Sequence, residues 1–217
     1  MFDIKNVIYG DILNIPDLVI PEGKITCILG ESGSGKTTLL KLLNQLISHD
    51  NGSILFGNEP IEKLDNVVLR RQVVMLPQKP IIAPGTISDN LNLGLSLAEK
   101  PLATEDQLLW SLNFVKLNKN LQDYADNLSS GEKQRVALAR IILMDPKVFL
   151  LDEPSSALDE DLEELIITRM IDYCSKCKKT VIMVTHSRKI GQSLADKLIT
   201  MKTGSLTSIE NLSQGRE

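Results

Sequence analysis

The sequence predicts an α/β domain with a mainly parallel core sheet, an antiparallel β region at the N-terminus and an inserted helical segment. Three observations support this prediction. Short apolar runs alternate with helix-periodic runs, a glycine-rich turn joins one such strand to a helix, and residues 81–127 are rich in Leu and Asn with scattered prolines. Strands that alternate with helices are typical of a parallel sheet, and the middle segment has a helical pattern.

The elements are expected in the following order along the chain. Strands are predicted at about 2–9, 12–19, 24–29, 53–56, 73–76, 148–151 and 180–185. Helices are predicted at 37–47, 131–143 and 159–174, and the segment 197–209 has the pattern of a hairpin that turns at Gly204. The expected organisation is a single domain over residues 1–217, with a helical subdomain inserted at about 80–130.

Composition excludes several classes of protein. The 217 residues are 42% hydrophobic, and 24 Lys and Arg against 28 Asp and Glu give a net charge of -4. This balance suits a globular core rather than a disordered chain or a disulfide scaffold, and the acidity disfavours a nucleic-acid partner. Neither an apolar run of about 18 residues nor a secretory leader is found, so the expected compartment is the cytoplasm.

The three cysteines fit reduced thiols. Cys27, Cys174 and Cys177 make an odd number, and the last two form a single CxxC that is expected to share a helix face. Without a second CxxC or a neighbouring His, the pair is weak evidence for a metal site. We interpret both residues as thiols on a half-buried helix.

The strongest motif is the segment Gly30-Glu31-Ser32-Gly33-Ser34-Gly35-Lys36-Thr37, which matches G-x-x-x-x-G-K-[ST] between an apolar strand and a helix. The glycines let successive backbone N–H groups face inward, and the helix adds its positive N-terminal end. The loop is therefore predicted to hold polyphosphate, as in P-loop NTPases. Lys36 would contact the β- and γ-phosphates, and the Thr37 hydroxyl would bind Mg²⁺.

A carboxylate for Mg²⁺ is expected at the end of a second apolar strand. The run Val148-Phe149-Leu150-Leu151 ends in Asp152 and Glu153. Asp152 is predicted to hold the metal through water, and Glu153 is predicted to polarise the attacking water. An acidic pair that merely ends a strand is the alternative.

Further motifs narrow the class. The segment Leu128-Ser129-Ser130-Gly131-Glu132-Lys133-Gln134-Arg135 resembles the LSGGQ signature of ABC ATPases. Other motifs of that family follow in order: Tyr9 resembles the adenine-stacking aromatic, Gln78 the Q-loop glutamine, Ser156-Ala157-Leu158-Asp159 the D-loop, and His186 the switch histidine. The resemblance covers about residues 2–204. Tyr9 could instead pack on the core, Gln78 could be solvated, and His186 could simply end a strand.

The resemblance implies a mechanism. Two copies would dimerise head to tail with two ATP molecules between them, each site combining residues 30–38, which include Thr38, with Gln78, Asp152, Glu153 and His186 of one copy. Ser129 and Gly131 would come from the other copy. Glu153 would be the general base, His186 would hold the γ-phosphate and the attacking water, and Gln78 would touch Mg²⁺ and connect the site to the helical subdomain.

The signature also has a structural interpretation. Ser129-x-x-Glu132 and Ser156-x-x-Asp159 both fit capping boxes at helix starts. Ser130 replaces the first signature glycine, and it would be strained by about 1–2 kcal/mol if its φ had to be positive. Ser129 and Gly131 are therefore the preferred γ-phosphate contacts.

Three roles for such an ATPase are open. The favoured one is the subunit of a membrane transporter that docks on a separate integral-membrane permease, peripheral to the inner face of the membrane. The whole sequence most resembles small stand-alone subunits of iron-export type, especially at 85–91 and 128–140. The alternatives are a soluble ABC ATPase acting on nucleic acid or ribosomes, which net charge disfavours, and an inactive ATP-binding module, which Lys36, Asp152, Glu153 and His186 argue against.

Overall fold

The N-terminal strands form an antiparallel sheet, as the sequence predicts. In the computed structural model, which describes residues 1–212, this sheet has the order β2-β1-β4-β5. Its strands are β1 (Phe2–Tyr9), β2 (Leu13–Ile20), β4 (Asn51–Phe56) and β5 (Glu59–Pro60). Buried apolar residues occupy every second position in β1 and β2, apart from one step of three residues in each strand, and this is close to the period-2 pattern of a strand with one face on the core.

The second sheet is the mainly parallel core. Its six strands have the order β10-β9-β3-β8-β7-β6. They are β3 (Ile25–Gly30), β6 (Val73–Leu76), β7 (Val148–Asp152), β8 (Thr180–Val184), β9 (Lys197–Lys202) and β10 (Ser205–Asn211). Strand β3 runs parallel to β8 and β9, and β7 runs parallel to β8. Strands β9 and β10 form the predicted hairpin.

Seven α-helices occur in the described residues 1–212. They are α1 (Lys36–Leu43), α2 (Asn66–Gln72), α3 (Ile87–Leu97), α4 (Glu105–Phe114), α5 (Ser130–Met144), α6 (Glu160–Lys176) and α7 (Arg188–Leu194). The short helices α2 and α7 were not predicted, because each has only seven residues and too few turns to show a period. No helix in this part of the chain combines the length and the apolar character that crossing a membrane requires.

Helix α1 ends earlier than its leucine pattern predicts. The expected end was residue 47, but Gln45 has a φ of 53° and the N–H of Leu46 donates to the carbonyl of Lys41. This left-handed turn closes the helix after Leu43, because a residue in that conformation cannot continue an α-helix. Leu46, which lies within the predicted helix at 37–47, is half exposed beyond the observed helix end.

The chain divides into two compact units. The first contains residues 1–75, 147–153 and 171 onward, and the second contains 76–146 and 154–170. The helical insertion that we predicted at about 80–130 falls inside the second unit. This unit is larger than the predicted insertion because it also includes α5 and most of α6. The sequence pattern did not show this, since the predicted helices at 131–143 and 159–174 both lie outside the predicted insertion. The assignment of residues 1–217 to a single domain stays a prediction.

A buried polar cluster organises the start of the second unit. The amide of Asn90 accepts from the N–H of Ala83 and donates to the carbonyls of Ala83 and Thr86, at 2.9–3.0 Å. Arg140 of α5 donates to the backbone carbonyls of Asn90 at 2.6 Å and Ile81 at 2.9 Å, and to Asn90 Oδ1 at 2.8 Å. The guanidinium therefore fixes the loop before α3 onto α5.

We predict that Arg140→Met destabilises this unit. Methionine keeps most of the apolar stem, but the carbonyls of Asn90 and Ile81 and the Oδ1 atom of the fully buried Asn90 lose the hydrogen bonds from Arg140, and Oδ1 keeps only the one from the N–H of Ala83. The free energy of unfolding, measured by urea denaturation with circular dichroism, is expected to fall by about 1–3 kcal/mol. Arg188→Met is the matched control, because Arg188 is exposed at the start of α7 and its change is expected within about 0.5 kcal/mol. Equal losses in both variants would contradict the prediction.

Candidate nucleotide-binding site

The glycine-rich loop connects β3 to α1 and is shaped by two tight approaches. Gly30 has a φ of 155°, and a Cβ there would lie 2.3 Å from the carbonyl oxygen of Met201. Gly35, at the N-cap of α1, has a φ of 92°, and a Cβ there would lie 2.9 Å from Leu13. Glycine is therefore required at both positions, and the loop can bring its backbone N–H groups towards one centre above the start of α1.

Lys36 is the buried cation of this loop. Its Nζ atom donates to the carbonyls of Gly30 and Glu31, both at 2.8 Å. Burial lowers the pKa of Lys36, and the charges of Glu153 and Asp152 act in the opposite direction. The ammonium is thus held at the mouth of the loop. A bound phosphate would replace the two carbonyls as the hydrogen-bond acceptor of Lys36.

Thr37 and Asp152 form a direct contact. The hydroxyl of Thr37 lies 2.8 Å and 3.1 Å from the two carboxylate oxygens of Asp152, to which it donates. Asp152 ends β7 and is 3% exposed; burial raises its pKa, although the hydrogen bond from Thr37 opposes this shift. A hydroxyl and a carboxylate placed together are hard oxygen donors, and they suit Mg²⁺ that also binds phosphate oxygens.

Glu153 and His186 form the second pair. His186 Nε2 lies 2.6 Å from Glu153 Oε1, and the imidazole is 54% exposed whereas the carboxylate is 16% exposed. Glu153 has a φ of 48°, and its N–H donates to the carbonyl of Val184. A non-glycine residue in this left-handed conformation is strained by about 1–2 kcal/mol, and such strain is often found at functional positions.

The other predicted loop residues and Tyr9 differ in exposure. Ser34 is buried, Thr38 is half-buried, and Glu31, Ser32 and Gly33 are exposed. Tyr9 ends β1, where its half-buried ring packs against the hydrophobic core. This packing agrees with the alternative interpretation of Tyr9, and its role in adenine stacking stays a prediction.

The signature segment starts α5 with the predicted capping box. The hydroxyl of Ser129 accepts from the N–H of Glu132 at 3.3 Å, and the Glu132 carboxylate accepts from the N–H of Ser129 at 2.9 Å. A Cβ on Gly131 would lie 2.8 Å from the carbonyl oxygen of Ala157, so glycine is needed for this close approach. The buried Gln134 accepts from the N–H of Ala157 at 3.0 Å. The position of Gln134 in the sequence gives no sign of this contact, because its partner Ala157 is distant along the chain.

Ser130 carries no backbone strain. It is the first residue of α5 and is not among the residues with positive φ. The replacement of the first signature glycine is therefore compatible with the helix start, and the possible penalty for a Cβ does not arise.

Two smaller predictions were wrong. Ser156 does not cap α6; Asp159 does, since its carboxylate accepts from the N–H of Leu162 at 3.0 Å. The two cysteines do not share a helix face, because Cys174 is buried within α6 and Cys177 is exposed beyond its end. Within residues 1–212, no cluster of three or more His, Cys, Asp or Glu side chains could hold a metal.

The predicted site residues fall into the two units. The first unit brings together the glycine-rich loop, the Thr37–Asp152 pair and the Glu153–His186 pair, and it also contains Tyr9. The second unit contains Gln78, Ser129 and Gly131. Gln78 is exposed in the loop that follows β6.

A phosphate-binding loop after one parallel strand and an Asp-Glu pair after another define the class of P-loop nucleoside triphosphatases. The family model described as ABC transporter matches residues 13–156. The chain therefore belongs to the ABC transporter family and is an ABC ATPase domain, which binds and hydrolyses ATP.

Relatives extend over most of the chain. Protein STAR1 of Oryza sativa subsp. japonica is 38% identical over 92% of this chain and 58% of its own length. ABC transporter I family member 17 of Arabidopsis thaliana is 36% identical over 88% of this chain and 72% of its length. The methionine import ATP-binding protein MetN of Clostridium tetani is 36% identical over 91% of this chain and 65% of its own length. The chain thus spans less than two thirds of STAR1 and of MetN.

A solved structure agrees with the fold. The dimeric ATP-binding cassette MJ0796, in a post-hydrolysis state bound to ADP and Pi, superimposes with a TM-score of 0.88 at 27% identity. The alignment covers 99% of this chain and 100% of that one. The N-terminal antiparallel sheet, the parallel core and the helical insertion are confirmed as the architecture of an ABC cassette.

We predict that Asp152→Asn makes the nucleotide-free protein more heat-stable at neutral pH while it reduces ATP hydrolysis by about a hundredfold or more. Because burial raises the pKa of Asp152, the ionised carboxylate destabilises the folded state once the pH exceeds its unfolded pKa. This penalty grows as pH rises through the folded pKa and is absent in acid. The gain in Tm should therefore shrink between pH 7 and about pH 4.

Asp65→Asn supplies a control of opposite sign. Asp65 is exposed and accepts from the N–H groups of Val68 and Val67, which lower its pKa. Its ionised form stabilises the protein above the unfolded pKa, and this contribution is lost as pH falls. The Asn variant should thus lose Tm at pH 7. A pH-independent Tm difference for Asp152→Asn would contradict the burial argument.

Proposed function

We propose that this chain is the ATP-hydrolysing subunit of a membrane transporter and that two copies close around two ATP molecules. The observation that carries the proposal is the arrangement at the end of β7. Asp152 contacts Thr37 at the start of α1, and the next residue, Glu153, contacts His186 after β8. Two residues suited to bind a metal, Thr37 and Asp152, thus lie directly beside a candidate general base, Glu153, and its histidine partner.

Residues 30–38 would hold the triphosphate. The backbone N–H groups of the loop and the N-terminus of α1 would face the phosphates, and Lys36 would exchange its two carbonyl partners for β- and γ-phosphate oxygens. Thr37 and Asp152 fit Mg²⁺ because both present oxygen atoms at one point, and Gln78 would add a third oxygen. When bound, Mg²⁺ neutralises charge on the phosphates. Tyr9 would stack on the adenine.

Glu153 would act as the general base. Its carboxylate accepts a proton from the water that attacks the γ-phosphorus, and the exposed His186 orients that water and the γ-phosphate. The bond between the β–γ bridging oxygen and the γ-phosphorus breaks, and ADP leaves with the bridging oxygen. Most of the rate enhancement comes from positioning the water and the phosphate and from neutralising the phosphate charge, since phosphoryl transfer needs little covalent help from the protein.

The signature residues would complete the site of a second copy. Ser129 and Gly131 lie at the N-terminus of α5, where backbone N–H groups and the helix dipole favour an anion. Dimeric structures of an ABC cassette 27% identical to this chain support the same arrangement here. ATP would join the two copies, and hydrolysis would release them.

We predict that Glu153→Gln traps an ATP-dependent dimer. The amide keeps the shape of the side chain and the nucleotide site, but it cannot accept the proton of the attacking water. Size-exclusion chromatography with and without Mg-ATP should show a dimer only with nucleotide, while ATP hydrolysis falls by about a hundredfold or more. Glu22→Gln, at an exposed position between β2 and β3, is the control, and this variant should remain mostly monomeric at steady state. A monomeric Glu153→Gln protein at saturating ATP would overturn the dimer model.

The transporter role rests on the relatives. Relatives over about nine tenths of this chain include ATP-binding proteins for methionine import and osmoprotectant import and a transport/processing ATP-binding protein. We infer that this chain docks on a separate integral-membrane permease, at the cytoplasmic face of the membrane. The net charge of -4 disfavours nucleic acid as the partner. The resemblance to iron-export subunits stays a prediction.

Co-purification tests the permease. The tagged chain, expressed in its native host and extracted with mild detergent, should recover one multi-span membrane protein in near-equal amount. Reconstitution of the pair in liposomes should change the ATP hydrolysis rate relative to the chain alone. The control is the same tag on an unrelated ATPase. Recovery of the chain without any membrane protein, in salt that keeps the ATP dimer intact, would contradict the transporter role.

A further inference from the structure

The first turn of α5 carries a negative charge at the place where the proposed function puts an anion. Glu132 is the third residue of this helix, and its carboxylate accepts from the N–H of Ser129 at 2.9 Å. The hydroxyl oxygen of Ser129 accepts from the N–H of Glu132, so its proton can be donated outward. The same few atoms would therefore have to accommodate a fixed carboxylate and the γ-phosphate of a second copy.

The carboxylate is charged at neutral pH. The hydrogen bond from the backbone of Ser129 lowers the pKa of Glu132, and the neighbouring Lys119 lowers it further. Two anions near one helix terminus repel each other, and salt screens such a repulsion only beyond about 8 Å. A neutral side chain at this position would cap the helix without opposing the phosphate.

Lys119 faces this carboxylate. Its Nζ atom lies 3.1 Å from Glu132 Oε1, and the two side chains are 36% and 20% exposed. The two oxygens of Glu132 thus have separate tasks, since Oε2 holds the start of the helix and Oε1 holds the ammonium. The pair brings opposite charges together at the third residue of α5, whereas the other cation of this turn, Lys133, donates to the carbonyl of Asp126 at 3.1 Å.

The loop that carries Lys119 is fixed by two arginines. Arg135 of α5 donates to the carbonyl of Lys116 at 2.6 Å. Arg169 of α6 donates to the carbonyls of Asn113 and Phe114 at 3.3 Å and 3.2 Å. Because these carbonyls lie at the C-terminal end of α4, both guanidinium groups anchor the segment just before Lys119. The ammonium is therefore held near Glu132 by the architecture of the unit.

We infer that Lys119 is a positioning residue for ATP-dependent dimerisation: its ammonium neutralises Glu132, so that the N-terminus of α5 can accept the γ-phosphate of ATP held by a second copy of this chain. The inference rests on the proposed function. Lys119 would not touch the nucleotide bound by its own copy. It therefore affects assembly of the dimer and not the first binding of ATP.

A double-mutant cycle tests the inference. In the Glu153→Gln background, the dimer dissociation constant is measured with saturating Mg-ATP by analytical ultracentrifugation at fixed ionic strength. Lys119→Met is expected to weaken dimerisation by about three- to tenfold, and Lys119→Arg should keep it. Adding Glu132→Gln to Lys119→Met should restore it, since the unopposed charge is then removed. Glu132→Gln without the Lys119 change should tighten the dimer.

Rescue by Glu132→Gln separates charge from structure. Lys119→Met and the double variant both lack the ion pair, so a purely structural tether would leave both equally impaired. ATP affinity of the monomer, measured by nucleotide titration at low protein concentration, should be the same in all variants. Lys5→Met is the matched surface control, because Lys5 pairs with the exposed Asp17 at 2.9 Å on the N-terminal sheet. Tm values identify any loss of folding.

The outcomes distinguish the two proposals. If the Glu153→Gln parent does not dimerise with ATP, both the dimer model and this inference fail. If the parent dimerises and Lys119→Met dimerises equally well, the inference alone is overturned. The inference is also overturned if the double variant dimerises no more tightly than Lys119→Met. It is overturned as well if Lys119→Met weakens ATP binding by the monomer as much as it weakens dimerisation.

Discussion

The parallel register of β3, β8 and β7 is the constraint on which the site depends. Ile28 pairs with Val184, and Val184 pairs with Asp152, so three strands end at one edge of the core sheet. The glycine-rich loop, the acidic pair and His186 follow those strand ends directly. Ligand sites at the carboxyl ends of parallel strands are the rule in open α/β sheets, because the loops there converge. The hydrogen bond from Thr37 to Asp152 joins the start of α1 to this edge.

The same edge concentrates features that oppose stability. Asp152 and Lys36 are buried charges whose pKa values shift towards the neutral forms, and Glu153 has a left-handed backbone. Each feature is unfavourable for folding when considered alone. The fully buried strands β7 and β8 support them, since the sheet holds the backbone in place on both sides. The proposed phosphate and metal site is therefore built on fully buried strands of the first unit.

The signature helix combines a structural task with a proposed binding task. The capping box satisfies the backbone of the first turn, and in the proposed dimer the same turn would present N–H groups to an anion. Gly131 and Gln134 both fix this turn against Ala157. Gly131 must be small because its backbone approaches the carbonyl of Ala157 closely, and Gln134 must be an amide because it accepts from the N–H of Ala157. The charged Glu132 makes this chain depend on Lys119, and a neutral residue would need no such partner.

The sequence by itself determined the class of fold, the phosphate-binding loop and the acidic pair, because these depend on local spacing and on apolar runs next to turn residues. Ordered motifs identified the family for the same reason. Only the tertiary structure decided how Lys119 meets Glu132, how Arg140 holds Asn90, and that Asp159 caps α6. It also decided the early end of α1 and the burial of Cys174 but not Cys177. Hydrogen bonds and ion pairs between distant residues have no period along the chain, so their geometry becomes visible only after folding.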